Sequence, residues 1–436
     1  MRVVLLSTYD LGRQPFGLAS PAAWLAETGC DVRANDLAVE PLDEAAVRAA
    51  ELVAIHLPMH TATRLASRVI PRLRALNPGA RLVCYGLYAQ PNEAYLRSLG
   101  VDHVLGGEYE EDLARLALGE RPDTAAGLPR LAYRVPDRRG LPPLDRYARL
   151  VDTLGRERLV AYTETTRGCK HVCRHCPVVP VYQGRFRAVP REIVLADIRQ
   201  QVAAGASHVT FGDPDFWNGP THALSIVRAL HAEHPGVTYD ATIKIEHLLR
   251  HAEHVPELVR TGGLFVTSAA ESLDDTVLAR LDKGHTRADF ERAFELCREA
   301  GLVMQPTFIA FHPWMTREHY LEFLGFLEQH DLVDALPPIQ LALRLLVPAG
   351  SKLLGHLEVD AFDRERLVHP WRHADPEVDE LHEMVHMLVQ ERSAAGASRR
   401  EIFEAVWQTA SGRSRVPGTQ WMDRAPVPYL TEPWYC

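Results

Sequence analysis

Three cysteines close together in the middle of the chain are the residues best suited to chemistry: Cys169, Cys173 and Cys176. Thiolate is a soft ligand that iron prefers, and three thiolates on one loop can hold three corners of a cubane iron-sulfur cluster. The fourth iron then lacks a protein ligand and can chelate a small molecule through an amine and a carboxylate, as S-adenosylmethionine (SAM) offers. The spacing is therefore compatible with a 4Fe-4S cluster that has one open iron.

A zinc site is the main alternative for these cysteines. Zinc sites usually have four ligands in pairs separated by two residues, and His171 or His175 could complete such a set. The spacing alone therefore leaves open a zinc-stabilised binding protein without enzymatic activity. A disulfide framework is disfavoured, because seven cysteines in 436 residues are sparse and odd in number.

The sequence around the cysteines resembles the radical SAM superfamily. Thr166-Arg167-Gly168 close a predicted strand and precede Cys169, as in that family. His175 stands where the family usually has an aromatic residue, and it can still stack on adenine. The resemblance implies an enzyme with a 4Fe-4S cluster and SAM, an electron donor such as flavodoxin or ferredoxin, and a carbon radical that modifies a small-molecule substrate.

Residues 159–350 show alternating strand and helix patterns. Strands are predicted at residues 159–163, 208–211, 238–243, 264–268, 303–310 and 339–345. Six such strands fit the partial (β/α)6 barrel of radical SAM enzymes, a TIM-type α/β fold. Because the active site of a parallel barrel is built at the carboxyl ends of its strands, the residues that follow the strands are candidates.

Charged and polar residues follow several of these strands. Asp213 and Asp215 resemble a family segment that accepts hydrogen bonds from the methionyl amine of SAM; the alternative is a turn stabilised by Asp side chains. Glu271 and Ser272 resemble a segment that holds the nucleoside or amino-acid part of SAM, and Ser272 could equally cap a helix. Arg344 could pair with the SAM carboxylate or anchor a strand. The predicted cofactor-binding residues are His175, Asp213, Asp215, Lys244, Glu246, Glu271, Ser272 and Arg344.

Residues 1–120 also alternate between strands and helices, which predicts a flavodoxin- or Rossmann-like parallel sheet covered on both faces. The turns at residues 58–62 and 85–89 and the segment 107–110 resemble the cobalamin-binding-like domain of one branch of the superfamily. The segment Asp10-Leu11-Gly12-Arg13 lacks the histidine that ligates cobalt in such domains. Cobalamin could still bind without a protein ligand, or the domain is degenerate; a cobalamin-dependent methyltransferase is therefore an alternative function.

Two further regions complete the predicted organisation. Residues 121–158 are rich in proline and form a predicted linker, and residues 351–436 form a mainly helical extension. The tail that ends in Cys436 resembles that of the CUAEP/CCAEP-tail radical SAM (seleno)proteins, in which the cysteine is followed by selenocysteine or cysteine. The hypothesis is a selenocysteine codon after Cys436. The resemblance implies transfer of a 3-amino-3-carboxypropyl group to trivalent arsenic, with Cys436 as a catalytic residue.

Composition limits the remaining classes of function. The net charge of −9 and the pI near 6.2 argue against a sequence-independent nucleic-acid binder, which usually carries a basic face. No apolar run reaches the roughly 18 residues that a membrane span needs. We therefore expect a cytoplasmic, reduced protein that has no nucleic-acid or membrane partner, which suits an oxygen-sensitive cluster.

Overall fold

A computed structural model of the chain describes residues 1–122, 128–413 and 427–432. It contains an N-terminal sheet, a curved second sheet and a helical C-terminal region, so the predicted α/β fold class is confirmed. Within the described residues, no helix combines the length and the apolar character that crossing a bilayer requires.

The N-terminal region forms a parallel five-stranded sheet with helices on both faces. Its strands are β1 (Arg2–Ser7), β2 (Asp31–Asp36), β3 (Leu52–His56), β4 (Arg81–Tyr85) and β5 (His103–Leu105). Its helices are α1 (Phe16–Glu27), α2 (Glu44–Ala49), α3 (His60–Leu76), α4 (Glu93–Ser98) and α5 (Glu110–Ala117). The order β2-β1-β3-β4-β5 is the flavodoxin-like order, in which ligands bind where the order reverses between β1 and β3.

The second region is a seven-stranded sheet with the order β13-β12-β11-β10-β7-β6-β14, accompanied by a short hairpin, β8-β9. Its strands are β6 (Arg149–Val151), β7 (Glu157–Thr163), β8 (Thr166–Gly168), β9 (Phe186–Ala188), β10 (His208–Phe211), β11 (Thr238–Thr242), β12 (Gly263–Glu271), β13 (Val303–Phe308) and β14 (Tyr429–Leu430). Strands β7 and β10 to β13 are parallel to one another, as in a partial barrel.

The helices of this region cover the outside of the curved sheet, and the C-terminal region follows them. They are α6 (Val179–Tyr182), α7 (Arg191–Ala203), α8 (Pro220–Glu233), α9 (Ile245–Arg250), α10 (Val255–Arg260), α11 (Asp275–Leu281), α12 (Arg287–Ala300), α13 (Arg317–Gln329), α14 (Pro376–Ala394) and α15 (Arg399–Ser411).

Helix α12 illustrates how the local sequence sets these elements. It begins at a capping box between Thr286 and Asp289, and it ends at Gly301, which adopts a left-handed φ of 77° that favours glycine. Its buried face carries Phe290 and Cys297, which join the main hydrophobic core under the barrel. Cys297 is therefore a core thiol on this helix.

The prediction of a regular sixth strand at residues 339–345 is wrong. Pro338–Leu341 form a single 3₁₀ turn, and Arg344 makes one isolated parallel bridge with Phe311. Pro337 and Pro338 lack the backbone N–H that a sheet requires. The side chain of Gln340 accepts a hydrogen bond of 2.9 Å from the backbone N–H of Phe308, so a side chain takes the place of a strand beside β13.

Residues 427–432, which we call the C-terminal strap, connect the two edges of the curved sheet. Tyr429 pairs antiparallel with Val151 of β6 at one edge. At the other edge, the Gln305 side chain of β13 donates a hydrogen bond of 2.7 Å to the carbonyl of Pro428. The strap therefore spans the open side of the partial barrel, an arrangement that the sequence patterns did not predict.

Candidate active site at the domain junction

A cavity of about 500 Å³ lies between the carboxyl ends of the barrel strands and the crevice of the N-terminal sheet. This volume falls within the roughly 300–1,000 Å³ of small-molecule sites. Its lining comes from the cluster loop, the barrel strand ends, the N-terminal domain and the strap, and includes Cys169, Asp215, Glu271, His56 and Tyr429. Both domains and the strap therefore enclose a single candidate site.

The three predicted cluster ligands lie together in this cavity, between β8 and α6. Cys169, Cys173 and Cys176 all line it and all are free thiols. Burial raises the pKa of Cys169 to about 12 and that of Cys176 to about 11, so iron binding must displace protons from these thiols. The donor chemistry and the adjoining open space fit a 4Fe-4S cluster that presents one iron to the cavity.

Asn218 holds the start of the cluster loop in place. Its side chain donates to the carbonyl of Gly168 at 3.0 Å and accepts from the backbone N–H of Lys170 at 3.1 Å, on either side of Cys169. Gly168 has a φ of 76°, and a Cβ there would lie 2.3 Å from the ring of Tyr182. Close packing and backbone conformation both require glycine before the first cysteine. Sequence reasoning did not identify Asn218, because its partners are about fifty positions away.

Asp213 supports the same loop from β10. Its carboxylate accepts hydrogen bonds from the backbone N–H of Thr165 at 2.7 Å and from the hydroxyls of Thr165 and Thr166 at 2.6 Å each. Burial raises the pKa of Asp213 to about 6, although these hydrogen bonds oppose the rise. Both oxygens of Asp213 are thus bonded to the segment just before the cysteines, and its role toward SAM stays a prediction.

Glu271, His175 and Lys283 form a largely buried polar group beside the cluster cysteines. Oε1 of Glu271 lies 3.1 Å from Nε2 of His175 and 3.2 Å from Nζ of Lys283. Burial alone would raise the pKa of Glu271, but Lys283 and His175 together hold it at about 2. The group keeps a carboxylate and an ammonium in the cavity, where they can pair with the zwitterionic end of SAM. Lys283 was not among the predicted site residues.

Asp215 and Lys244 lie on a neighbouring wall of the cavity, at the ends of β10 and β11, and Glu246 follows in the first turn of α9. Oδ1 of Asp215 accepts from the backbone N–H of Trp217 at 3.1 Å, whereas Oδ2 lies 2.6 Å from Nδ1 of His247. Nζ of Lys244 lies 3.5 Å from Oε2 of Glu246. The structure therefore brings these three predicted residues together, and it adds His247, whose sequence position gave no signal.

The remaining predicted residues lie farther from this group. Ser272 lines a smaller neighbouring cavity of about 260 Å³, where its Oγ accepts from the backbone N–H of Asp274; Asp274 itself caps α11. Arg344 lines the main cavity, but its guanidinium pairs with Asp379 at 2.8 Å and stacks on Trp371. Cys436 lies outside the described residues.

The N-terminal side of the cavity has a mainly apolar wall. Leu11, Pro58, Met59, Leu87 and Tyr88 line it, and Leu87 packs against the same hydrophobic cluster as Cys169 and Cys176. At the β1/β3 switch point, burial and then Arg167 lower the pKa of His56 to about 3. The apolar side chains of this wall are compatible with a corrinoid face, and the β1–α1 loop offers no histidine as a cobalt ligand.

Arg167 connects the cluster loop to the N-terminal domain. Its guanidinium lies 3.1 Å from Glu108, 2.6 Å from Glu110 and 2.9 Å from Glu164, and all of these groups except Glu164 are almost completely buried. Burial raises the pKa of Glu164 to about 7, against the opposing charge of Arg167. The orientation of the two domains is therefore coupled to the residue two positions before Cys169.

Comparison with known proteins agrees with this site. Residues 163–327 match the profile of the Radical SAM superfamily, and that segment contains the three cluster cysteines and most of the barrel. The fold, the cysteine geometry and this match together define residues 163–327 as a domain of the radical SAM superfamily, whose cofactors are a 4Fe-4S cluster and SAM. The chain is an enzyme in which this domain follows a flavodoxin-like one.

Two curated relatives are similar to part of this chain. The chain is 24% identical over 268 residues to the ribosomal protein uS12 methylthiotransferase RimO of Geobacter sulfurreducens, covering 53% of this chain and 56% of the relative. It is 23% identical over 283 residues to the tRNA-2-methylthio-N(6)-dimethylallyladenosine synthase of Herpetosiphon aurantiacus, covering 59% and 57% respectively. The chain thus spans a little over half the length of these relatives.

Solved structures extend the likeness to both domains. The cobalamin-dependent SAM radical enzyme OxsB, with aqua-cobalamin bound, superposes with a TM-score of 0.67 at 13% identity, covering 90% of this chain and 67% of that one. The radical SAM methyltransferase TsrM from Kitasatospora setae, with cobalamin and a [4Fe-4S] cluster bound, gives 0.58 at 19% identity, covering 76% and 73%. At these identities the likeness shows a shared fold.

Proposed function

We propose that the chain is a radical SAM transferase that cleaves SAM reductively and transfers a carbon fragment to a small molecule held at the domain junction. The observation that carries this proposal is the single cavity shared by Cys169, Cys173 and Cys176 and the charged strand-end residues. When bound, the cluster supplies one electron to the sulfonium of SAM so that a carbon–sulfur bond breaks.

The chain's own residues would bind and orient SAM and exclude water. Lys283 and Glu271 present opposite charges beside the cysteines, suited to the carboxylate and the ammonium of the methionyl group. The N-terminal domain and the strap cover the barrel mouth, which would keep solvent and oxygen away from a reactive radical. The substrate would occupy the rest of the cavity, toward Met59 and Tyr88.

Cobalamin-dependent methyl transfer is a second candidate function. It is supported by the apolar N-terminal wall of the cavity and by the shared two-domain fold of OxsB and TsrM, both of which are described with cobalamin bound. In this reaction the apolar residues of that wall, Leu11, Pro58 and Met59 among them, would hold the corrinoid. The absence of a histidine in the segment Asp10-Leu11-Gly12-Arg13 requires that it bind without a cobalt ligand from that loop.

Transfer of a 3-amino-3-carboxypropyl group to trivalent arsenic is the more specific form of the first proposal. Support comes from the tail resemblance and from the strap: Tyr429 lines the cavity, and the Tyr9 hydroxyl donates a hydrogen bond of 2.5 Å to Glu432. Cys436, which lies outside the described residues, follows the strap by four positions in the sequence. Thiols suit capture of a thiophilic metalloid.

The partners and location follow the same proposal. The methylthiotransferase relatives are named for a ribosomal protein and a tRNA, but the net charge of −9 and the partly enclosed cavity favour a small-molecule substrate here. A small electron carrier such as flavodoxin or ferredoxin would reduce the cluster. A cytoplasmic location stays a prediction.

Analysis of the products of SAM turnover tests these functions. Anaerobically reconstituted protein is incubated with SAM and dithionite, with and without added cobalamin or arsenite. Methylthioadenosine with an alkylated arsenical supports 3-amino-3-carboxypropyl transfer, S-adenosylhomocysteine that requires cobalamin supports methyl transfer, and 5′-deoxyadenosine indicates hydrogen abstraction. Protein that carries four irons and four sulfides but consumes no SAM, or that binds only zinc, would refute a radical SAM transferase.

A further inference from the structure

We propose that His171, Asp215 and His247 form a second metal site, for a mononuclear divalent transition ion, in the wall of the main cavity. These residues come from the cluster loop, the end of β10 and α9, and their ligand atoms all lie within 4.8 Å of one another. The proposal is independent of the radical reaction, because it uses none of the cluster cysteines.

The distances suit a shared ion. Nε2 of His171 lies 3.1 Å from Nε2 of His247 and 3.9 Å from Oδ2 of Asp215, which in turn lies 2.6 Å from Nδ1 of His247. Nitrogen and oxygen ligands bind zinc at about 2.0–2.2 Å, so two atoms bound to one ion can be up to about 4.2 Å apart. The separation of His171 from Asp215 is within that limit, and with a single nitrogen of His247 the three ligand atoms all lie within 4.8 Å of one another.

The hydrogen bonding among His171, Asp215 and His247 is incomplete without an ion. Oδ2 of Asp215 and Nδ1 of His247 are close, but they are not aligned for a hydrogen bond, and neither atom has a hydrogen-bond partner among the described residues. The side chains of Asp215 and His247 are 2% and 0% exposed. Burying unpaired polar atoms is costly, and a bound cation would satisfy both of them.

The donor set defines the class of ion. Two imidazoles and one carboxylate are typical ligands of zinc and of non-haem iron(II), and such sites keep an open position. His171 and Asp215 line the cavity, so the open position would face the substrate. An amine or carboxylate oxygen of a bound molecule could then complete the coordination, which would position it beside the cluster.

Neighbouring residues keep the three side chains in position. The backbone N–H of Trp217 holds Oδ1 of Asp215 at 3.1 Å, which leaves Oδ2 for the ion. Nδ1 of His171 lies 3.7 Å from Oε2 of Glu246, whose charge would favour a proton on that nitrogen and leave Nε2 as the ligand.

Cobalt(II) titration of the cluster-loaded protein tests this site. Cobalt is distinguishable from cluster iron by metal analysis, and its visible absorption bands report coordination by nitrogen and oxygen. We expect one cobalt per chain beyond the four irons and four sulfides. His247→Gln should weaken cobalt binding by at least about 100-fold, the upper end of the effect of removing an outer-shell partner. Its iron and sulfide content should not change.

His251→Gln is the matched control, since this histidine follows α9 and its ring lies 6.2 Å from that of His247 but is not one of the three ligands. It should bind cobalt like the unmodified protein. The proposal is overturned if the unmodified protein binds no cobalt beyond its cluster, or if His247→Gln binds cobalt equally well. Should His247→Gln not fold, His171→Gln, whose side chain is 17% exposed, is judged by the same two criteria.

Discussion

The guanidinium of Arg167 lies 2.6 Å from Oε1 of Glu110, and this buried ion pair connects the cluster loop to the N-terminal domain. Replacement by methionine would leave Glu108 and Glu110 buried without their cation. Breaking such a buried pair typically costs about 3–5 kcal/mol, so Arg167→Met should lower the urea midpoint strongly. Unfolding followed by fluorescence and circular dichroism measures the loss.

Arg97→Met is the control for this prediction. Arg97 pairs with Glu93 at 2.8 Å on the exposed face of α4, and such surface pairs contribute about 0.3–0.5 kcal/mol. Equal shifts of the urea midpoint in the two variants would show that Arg167 does not link the domains as described.

Cys173→Ala should abolish assembly of the cluster, because two thiolates cannot hold the cubane that three hold. The brown colour, the broad visible absorbance and the sulfide content should all be lost after anaerobic reconstitution. Cys30→Ala removes a partly exposed thiol in the N-terminal domain and should retain four irons and four sulfides. A Cys173→Ala protein with a full cluster would contradict the assignment of the ligands.

Asp10→Asn should change how stability depends on pH. Burial raises the pKa of Asp10 from 3.8 to about 7, so the folded state holds this proton between those values while the unfolded state releases it. The contribution of Asp10 to the free energy of unfolding therefore falls as the pH rises from about 4 to about 7.

The Asn variant should consequently gain stability relative to the unmodified protein at pH 8, and less so at pH 5. Urea midpoints at the two pH values measure the difference. Asp31→Asn, on the exposed start of β2, serves as the control and should show no such trend. A difference between Asp10→Asn and the unmodified protein that is the same at both pH values would contradict the predicted titration.

Gln305→Met should release one end of the strap, because the 2.7 Å hydrogen bond to the carbonyl of Pro428 is lost. Limited proteolysis with mass spectrometry should show faster cleavage between residues 427 and 432. Gln200→Met is the matched control for Gln305→Met, because Gln200 also donates a hydrogen bond, of 2.9 Å, to a proline carbonyl, that of Pro136, away from the strap. Similar cleavage of the strap in both variants would mean that Gln305 does not hold it.

The sequence predicted best those features that short segments encode. The spacing of Cys169, Cys173 and Cys176 predicted a cluster loop, and the structure brings the three thiols together; the alternating patterns identified the N-terminal sheet and five strands of the barrel. The prediction of a sixth strand was wrong. The hydrophobic run at residues 339–345 suggested a strand, but Pro338 begins a 3₁₀ turn there and the side chain of Gln340 bonds to β13 in place of a strand.

Features that depend on distant partners could not be read in this way. Val151 and Tyr429 pair across most of the chain, and neither segment has a strand pattern of its own. Similarly, His247 meets Asp215 only because β10 and β11 lie side by side in the sheet. Sequence spacing carries no trace of such contacts when a single sequence is read alone.

The strap has a consequence for the order in which the protein matures. Its partners in β6 and β13 are translated well before residues 427–432, so a nascent chain can complete its barrel while that side is still uncovered. Iron and sulfide carriers that act at this stage would meet an accessible cysteine loop. Once the late segment docks, it covers one side of the partly enclosed cavity, so we expect cluster delivery to be faster before docking than after it.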